Sequence, residues 1–370
     1  MPRSIQAAVC NGQGAPPRIE TLMLDDPAPD EVVIKVEAAG ICHTDLGISQ
    51  WSETPRVFGH EGAGTVVETG SAVTQFEKGD RVVATFGFCG ACPNCEGGRP
   101  AYCFDGIALN IEGQRATDRP SLTREDGSEV GGAFFQQSCF ATYALATERN
   151  LVRIPDGLDM VTAAPLGCGI QTGAGAVFNQ IGALPDRPLL VVGAGAVGAA
   201  AIMAGKIIGC DPIVAIELGS ERRALAKELG ASHVIDGSNK DWAEAVQALT
   251  HGGVTAALDT AGTQATFEAC IAALHSGGTL GVLTLPGEFD APVPHPGGLD
   301  FMTKSIVGII EGDAVPSEFL PLLIAYLSSG DMPIDRLIKT YRFEDIAEAF
   351  AEAASGKVIK PVLTFEGMHT

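Results

Sequence analysis

Cys42, His43, Thr44 and Asp45 stand in a row inside GICHTDL, residues 40–46, between apolar flanks. A thiol beside an imidazole serves as nucleophile, redox centre or metal ligand, so this tetrad alone decides nothing. Two other fragments share its character: FGHEGAG at 58–64 carries His60 and Glu61, and PLGCGIQTGAG at 165–175 carries Cys168. Taken singly, Cys42 and Cys168 suit small buried residues and His60 a satisfied core histidine. Taken together, one imidazole and two thiolates make a three-ligand zinc site whose fourth position stays open for a substrate oxygen.

A second cysteine group is denser. Cys89, Cys92, Cys95 and Cys103 in CGACPNCEGGRPAYC follow the spacing C-x2-C-x2-C-x7-C, among Gly, Pro and Asn that let the chain loop around an ion. Four thiolates gathered this way suit a closed tetrahedral zinc site, which staples a lobe at about 87–106 and does no chemistry because every position is filled. An iron–sulfur cluster is the competing reading, although the spacing fits neither ferredoxin pattern.

The third signal is a glycine turn. Gly193, Gly195 and Gly198 in VVGAGAVG follow the apolar run PLLVV, open the stretch AAAIMAGKII, and precede Glu217 at the end of PIVAIE. Strand, glycine turn, helix and a distal carboxylate together form a dinucleotide-binding fingerprint: the glycines allow close approach of the pyrophosphate to a helix N-terminus, and the carboxylate accepts from ribose hydroxyls. Glu217 repels a 2'-phosphate, which favours NAD over NADP; Arg222 and Arg223 just beyond it are either solvated helix surface or a phosphate contact. FAD uses the same fingerprint, usually near the beginning of a chain, whereas this one lies at the midpoint.

These groups must be positioned by elements the sequence also announces. EVVIKVEAAG, GHEGAGTVVETG and DRVVATFG are β-branched runs bounded by turn residues and predict a strand-rich region over residues 1 to 150. From about 170, strands alternate with Ala-rich helical stretches, which predicts a parallel sheet covered by helices on both faces. FEDIAEAFAEAASGKVIKPVLTF near the end predicts an amphipathic helix and a final strand returning to the first region.

Composition bounds the rest. The chain has 370 residues, 46% of them hydrophobic, which suits two domains with large cores. Its 45 acidic against 24 basic residues give a net charge of -21, which excludes nucleic acid and anionic membrane surfaces as expected partners. No apolar run reaches the roughly 18 to 20 residues that span a bilayer, and the first residues lack the apolar core of a signal peptide, so a cytoplasmic protein is expected. Ten cysteines in a reducing compartment point to metal rather than to disulfides.

GICHTDL, GHEGAG, the four-cysteine lobe, LGCGIQTGAG and VVGAGAVG occur in the order and spacing of the zinc-dependent medium-chain alcohol dehydrogenases, and the chain resembles that family over nearly its whole length. Within the family, His43 after the first cysteine, with FFQQSCFATYAL at 134–145 and GCGIQTGAGAV at 167–177, is most similar to the bacterial aryl-alcohol (benzyl alcohol) dehydrogenases, whose close relatives oxidise allylic terpenoid alcohols such as geraniol. The resemblance implies a GroES-like catalytic domain over 1–169, a doubly wound Rossmann NAD domain over 170–309 and a return to the catalytic domain over 310–370. It also implies oxidation of a hydrophobic primary alcohol to the aldehyde with NAD and two zinc ions per chain. A broad-specificity or glutathione-linked enzyme of the same family is the alternative.

The resemblance assigns roles residue by residue. Cys42, His60 and Cys168 bind the catalytic zinc, and Cys89, Cys92, Cys95 and Cys103 the structural one. Thr44 accepts the alcohol proton, Asp45 orients the imidazole of His60, and Glu61 is the acidic residue behind the metal. His43 and Lys360 reach the cofactor pyrophosphate, and Thr172 and Val197 line the nicotinamide; the glycine fingerprint itself, not the resemblance, adds Glu217 and, as a phosphate contact, Arg222 to the cofactor candidates. Trp51, Phe86, Phe88, Ile107 and Phe135 lie in segments bordering the substrate cleft. The chain departs from the family at Gly47, where many relatives carry the histidine that ends the proton relay. Family members pair through the edge of the cofactor-domain sheet, where TLGVLTLPG (279–287) and IVGIIEG (306–312) belong, so a homodimer or homotetramer is expected. A zinc-free reductase or a silent NAD-binding protein would have no use for the open triad.

Overall fold

The computed structural model describes residues 2–284 and 302–368. At the heart of its first unit lies the strand Glu31–Gly40, formed by EVVIKVEAAG and buried along nearly its whole length. Val and Ile are stiff at χ1 and pack well on a pleated surface, which is why this run extends rather than coils. It pairs antiparallel with Glu61–Thr69, Tyr143–Thr147 and the final strand Lys360–Thr364. Arg81–Ala84, Leu151–Arg153 and Ile338–Arg342 complete this sheet of seven strands. A five-stranded sheet runs in the order Arg56–Val57, Arg3–Cys10, Arg18–Leu24, Leu122–Thr123, Glu129–Val130. Phe58, Phe134, Phe140, Phe343 and Phe365 are fully buried in one continuous core with residues of both sheets.

Register decides where chemistry can gather. Gly40 lies opposite Glu61 on one side and Val362 on the other. Residue 42 therefore emerges just past the end of the central strand, His60 just before the next strand, and Lys360 at the start of the last. The amide of Ile41 donates to the carbonyl of Pro361 at 2.9 Å, which fixes this corner. The strand-rich, GroES-like first part expected from the sequence is the fold observed.

The second part is the expected parallel sheet. Its strands run His233–Asp236, Ile213–Glu217, Leu189–Val192, Val254–Asp259, Leu274–Val282, Ser305–Gly308, and every pairing is parallel. Strand order reverses at Leu189–Val192, the switch point at which doubly wound sheets bind ligands. The helix Ala196–Ile208 follows, Ala- and Gly-rich on its buried positions and ended by Gly209 in the left-handed region at φ 87°. Small residues are required here: a Cβ on Gly173 of helix Gly169–Gly175 would lie 2.0 Å from the carbonyl oxygen of Val197.

The chain groups into two units, one of Met1–Cys168, Val315–Ser328 and Ile334–Thr370, the other of Gly169–Ala314 and Ser329–Pro333. Among the described residues Ser305–Gly308 is an edge strand, with Ile306 and Ile310 exposed, while residues 285–287 of the other expected pairing segment lie outside them. No helix of the described residues is long and apolar enough to cross a membrane.

Candidate metal centre and cofactor turn

Cys42 is the N-cap of the helix His43–Trp51, His60 precedes the strand Glu61–Thr69, and Cys168 follows the short helical turn Ala164–Gly167. These three distant positions converge: donor atoms of Cys42, His60, Glu61 and Cys168 all lie within 4.8 Å of one another. The two Sγ atoms are 4.0 Å apart, close to the roughly 3.8 Å that two zinc–sulfur bonds of about 2.3 Å subtend in a tetrahedron. Among the described residues, His60 Nε2 is a buried ring nitrogen with no hydrogen-bond partner, while Nδ1 bonds Asp45 Oδ1 at 2.9 Å. A buried polar atom left this way is costly unless something binds it. Two thiols, one orphaned imidazole nitrogen and a nearby carboxylate fit a zinc ion by chemistry and by spacing.

The electrostatics point the same way. The adjacent Cys168 thiol, assisted by His60 and Lys360, holds Cys42 well below the ordinary thiol range despite its burial. Burial disfavours the charged imidazole, but Asp45 and Cys42 outweigh it and hold His60 well above its usual value. Burial likewise pushes the Glu61 carboxyl up against the opposing pull of Lys360.

Asp45 is fully buried and spends its carboxylate on three donors: Cys42 N at 2.9 Å, Gly59 N at 3.0 Å and His60 Nδ1 at 2.9 Å. One side chain thus ties two prospective ligands together. Thr44 Oγ1 accepts from Cys42 Sγ at 3.7 Å, at the edge of the cluster. His43 is exposed at the start of the same helix.

Lys360 has other partners than the pyrophosphate expected from the sequence. Its ammonium, 3% exposed, donates to both Glu61 oxygens at 2.7 and 2.8 Å and to the Ile41 carbonyl at 3.2 Å. Three acceptors match the three hydrogens of an ammonium, and the buried ion pair on Glu61 holds the side chain inside.

Around the imidazole stands an aromatic wall. Phe135 lies stacked on His60 with ring centroids 4.4 Å apart, and Phe134 meets it edge-on at 5.5 Å. Phe86 is buried and packs 5.9 Å from Phe88, whereas Trp51 and Ile107 are largely exposed. The sequence reading singled out Phe135 and missed Phe134, although both sit in the same FFQQ run. It also missed Gln137, whose buried amide bonds the backbone on both sides of Glu61.

The four-cysteine lobe closes as the spacing suggested. Cys89, Cys92, Cys95 and Cys103 bring their sulfurs within 4.8 Å, and none is in a disulfide. Backbone amides point at two of them, Cys89 N to Cys103 Sγ at 3.2 Å and Phe104 N to Cys92 Sγ at 3.5 Å. The amide of Phe104, helped by that of Cys95, pulls Cys92 down to about 6, while burial and neighbouring sulfurs push Cys95 up to about 12. Four sulfurs this close ionise together only around a cation, which a zinc ion provides.

In the parallel sheet the glycine turn adopts the geometry its pattern requires. Gly193 has φ 88°, and a Cβ on Gly198 would lie 1.8 Å from the Gly193 carbonyl oxygen. A Cβ on Gly195 would meet nothing within 4 Å, so this glycine faces open space at the helix N-terminus. Glu217 bridges the turn to its own strand end, accepting from Ala194 N and Gly219 N, both at 2.8 Å. Arg223 is committed to the Glu217 carbonyl and to Asp236, whereas Arg222 is half-buried beside Gly219. Thr172 is buried in the helix Gly169–Gly175 and Val197 is half-buried in the turn of helix that follows the glycines.

Comparison with known proteins agrees with this geometry. Residues 28–156 match the Alcohol dehydrogenase GroES-like domain, and residues 196–328 match the Zinc-binding dehydrogenase family. The chain is 42% identical over 367 residues to a geraniol dehydrogenase of Castellaniella defragrans, an alignment covering 98% of each. It is 40% identical over 287 residues to a probable alcohol dehydrogenase of a Pseudomonas species, covering 75% of this chain and 90% of the relative. Among solved structures, an alcohol dehydrogenase zinc-binding domain protein from Burkholderia ambifaria superposes with a TM-score of 0.94 at 42% identity, over 99% of this chain and 100% of the other. Benzyl alcohol dehydrogenase from Acinetobacter calcoaceticus superposes with a TM-score of 0.93 at 36% identity, over 98% and 99%. Similarity of this extent, joined to a clustered Cys–His–Cys donor set and a four-cysteine lobe, means that the chain belongs to the zinc-dependent medium-chain alcohol dehydrogenase family.

Proposed function

We propose that this dehydrogenase oxidises a hydrophobic primary alcohol, aryl or allylic, to its aldehyde with NAD, using one zinc ion at Cys42, His60 and Cys168 and a second at the four-cysteine lobe. The observation that carries the reading is the fully buried His60, whose Nε2 has no hydrogen-bond partner among the described residues and whose imidazole clusters within 4.8 Å of two thiols, with the Phe135 ring stacked on it. When bound, zinc supplies Lewis acidity toward the substrate oxygen and NAD supplies the hydride acceptor.

The chain's own residues do the rest. Cys42 and Cys168 as thiolates offset the two charges of the ion, and Asp45 fixes the His60 tautomer so that Nε2 faces inward. Thr44 relays the proton of the alcohol, its hydroxyl oxygen accepting one proton as it gives up its own; with Gly47 where relatives carry a histidine, the released proton goes to water or to His43. Gly193, Gly195 and Gly198 with the helix N-terminus receive the pyrophosphate, Glu217 the ribose, and Thr172 and Val197 the nicotinamide ring. Phe134, fully buried, packs edge-on against Phe135, which shields the imidazole from water and offers the apolar surface to a planar substrate. The relatives named geraniol dehydrogenase and benzyl alcohol dehydrogenase support an allylic or benzylic alcohol. The exposed edge strand Ser305–Gly308 supports a homodimer, and a reducing cytoplasm suits six ligand thiols.

The test is metal content per chain together with oxidation of benzyl alcohol, geraniol and ethanol by the purified protein with NAD and with NADP. Two zinc ions, NAD dependence and a kcat/KM far higher for benzyl alcohol or geraniol than for ethanol are expected. One zinc ion and no turnover would overturn the reading.

A further inference from the structure

Three prospective ligands come from three separate stretches of chain, and something must hold them at a fixed spacing. Asp45 does this for Cys42 and His60. Between His60 and Cys168 an unbroken buried polar path runs through the backbone. Gln137 Nε2 donates to the His60 carbonyl at 2.9 Å and to the Thr85 carbonyl at 3.1 Å, while its Oε1 accepts from Gly62 N at 3.1 Å. Two carbonyls on one side and an amide hydrogen on the other allow a single orientation of this carboxamide. From there the path continues through Thr85, whose Oγ1 donates to the Gly167 carbonyl at 2.7 Å, one residue before Cys168. Gln137 and Thr85 are 1% and 0% exposed, so water cannot substitute for these bonds.

Local backbone shape indicates that the placement of Gln137 is imposed. Phe135, Gln136 and Ser138 all adopt positive φ, at 51°, 56° and 48°, which side-chain-bearing residues avoid. Asn150, fully buried, donates from Nδ2 to the carbonyls of Thr85, Phe135 and Gln136, tying the strained run to the end of the strand Arg81–Ala84. Gly167 packs so closely on that strand that a Cβ would lie 2.0 Å from the Ala84 carbonyl oxygen.

We propose that Gln137 and Thr85 are positioning residues that set His60 and Cys168 at the spacing zinc requires, acting through the backbone carbonyls of His60 and Gly167. The inference rests on the reading that Cys42, His60 and Cys168 hold a zinc ion. Outer partners of metal ligands commonly change affinity by about 10- to 100-fold when removed, and this pair bears on two ligands at once.

The experiment uses the full chain as Thr85→Val, Thr85→Ser and Gln137→Met beside wild type. Zinc release to a chelator is followed, and the cobalt(II)-loaded proteins are compared by their visible thiolate and ligand-field bands. In Thr85→Val and Gln137→Met one zinc ion is expected to be lost about 10- to 100-fold more readily, with altered cobalt bands, while the other zinc ion remains as in wild type. Thr85→Ser, which keeps the hydroxyl, is expected to restore wild-type behaviour. Wild-type retention and cobalt bands in both Thr85→Val and Gln137→Met would overturn the inference and leave the zinc reading standing. So would loss of both zinc ions in step with a lowered Tm, since that marks a general packing role. A wild-type chain binding only the lobe zinc would instead remove the reading on which the inference rests.

Discussion

At the scale of single residues, the buried pair Lys360–Glu61 carries the sharpest contrast between expectation and structure. KPVLTF suggests a basic residue reaching toward a pyrophosphate, but the ammonium is enclosed by Glu61 and the Ile41 carbonyl. Removing one partner of a buried pair leaves an uncompensated charge and typically costs about 3–5 kcal/mol. Lys360→Met is therefore expected to lose about that much stability in urea unfolding, and Lys360→Met combined with Glu61→Gln to recover a good part of it. Unchanged stability together with a raised KM for NAD would mean that Lys360 serves the cofactor after all. The same scale marks how far residues are legible in sequence. Cys42, His60 and Cys168 are readable because metal chemistry needs those side chains themselves. Gln137 and Thr85 are not, because they act on backbone carbonyls, which every residue has, and only the fold says which carbonyl lies within reach.

At the scale of elements, strand runs and the glycine turn are legible because they rest on local rules, β-branching and backbone freedom. Gly195 and Gly198 separate two roles that the fingerprint merges. A Cβ at Gly198 collides with the Gly193 carbonyl, whereas one at Gly195 meets open space. Gly198→Ala is expected to lower Tm by several degrees, and Gly195→Ala to leave Tm unchanged while raising the KM for NAD at least tenfold, to about 1.4 kcal/mol or more. Equal effects of both on Tm would mean that Gly195 supports the fold rather than cofactor approach. The register of long-range pairs, such as Val362 opposite Gly40, is not legible, because no local pattern chooses a partner so far along the chain. That returning region is clasped by charge: Glu352 accepts from Lys339, Lys357 and Tyr341, which hold its carboxyl down at about 2 against an ordinary 4.5. A depressed carboxylate stabilises above its ordinary value and loses that contribution as pH falls toward the depressed one. The advantage of wild type over Glu352→Gln in urea midpoint should thus be constant near neutrality and narrow below about 4.5. An advantage that grows on acidification would contradict the sign.

At the scale of the whole molecule, the charge balance bears on the proposed cofactor, NAD. The chain carries -21 at neutral pH, and NAD is a net anion with two phosphates. With NAD bound as proposed, local groups at the glycine turn would attract the pyrophosphate over a few ångströms, while the summed field of 45 acidic residues would repel it from farther away. The two ranges separate by salt: the screening length falls from about 30 Å at 0.01 M to about 8 Å at 0.15 M, which removes the distant repulsion and leaves close contacts largely intact. The KM for NAD is therefore expected to fall as ionic strength rises across that interval, with kcat little changed. Stopped-flow binding of NADH should place the change in the association rate, since steering acts on encounter rather than on escape. A KM that rises with salt would show that a cationic cluster at the turn, with Arg222 as its first candidate, outweighs the acidic surface, and Arg222→Ala should then abolish the salt dependence.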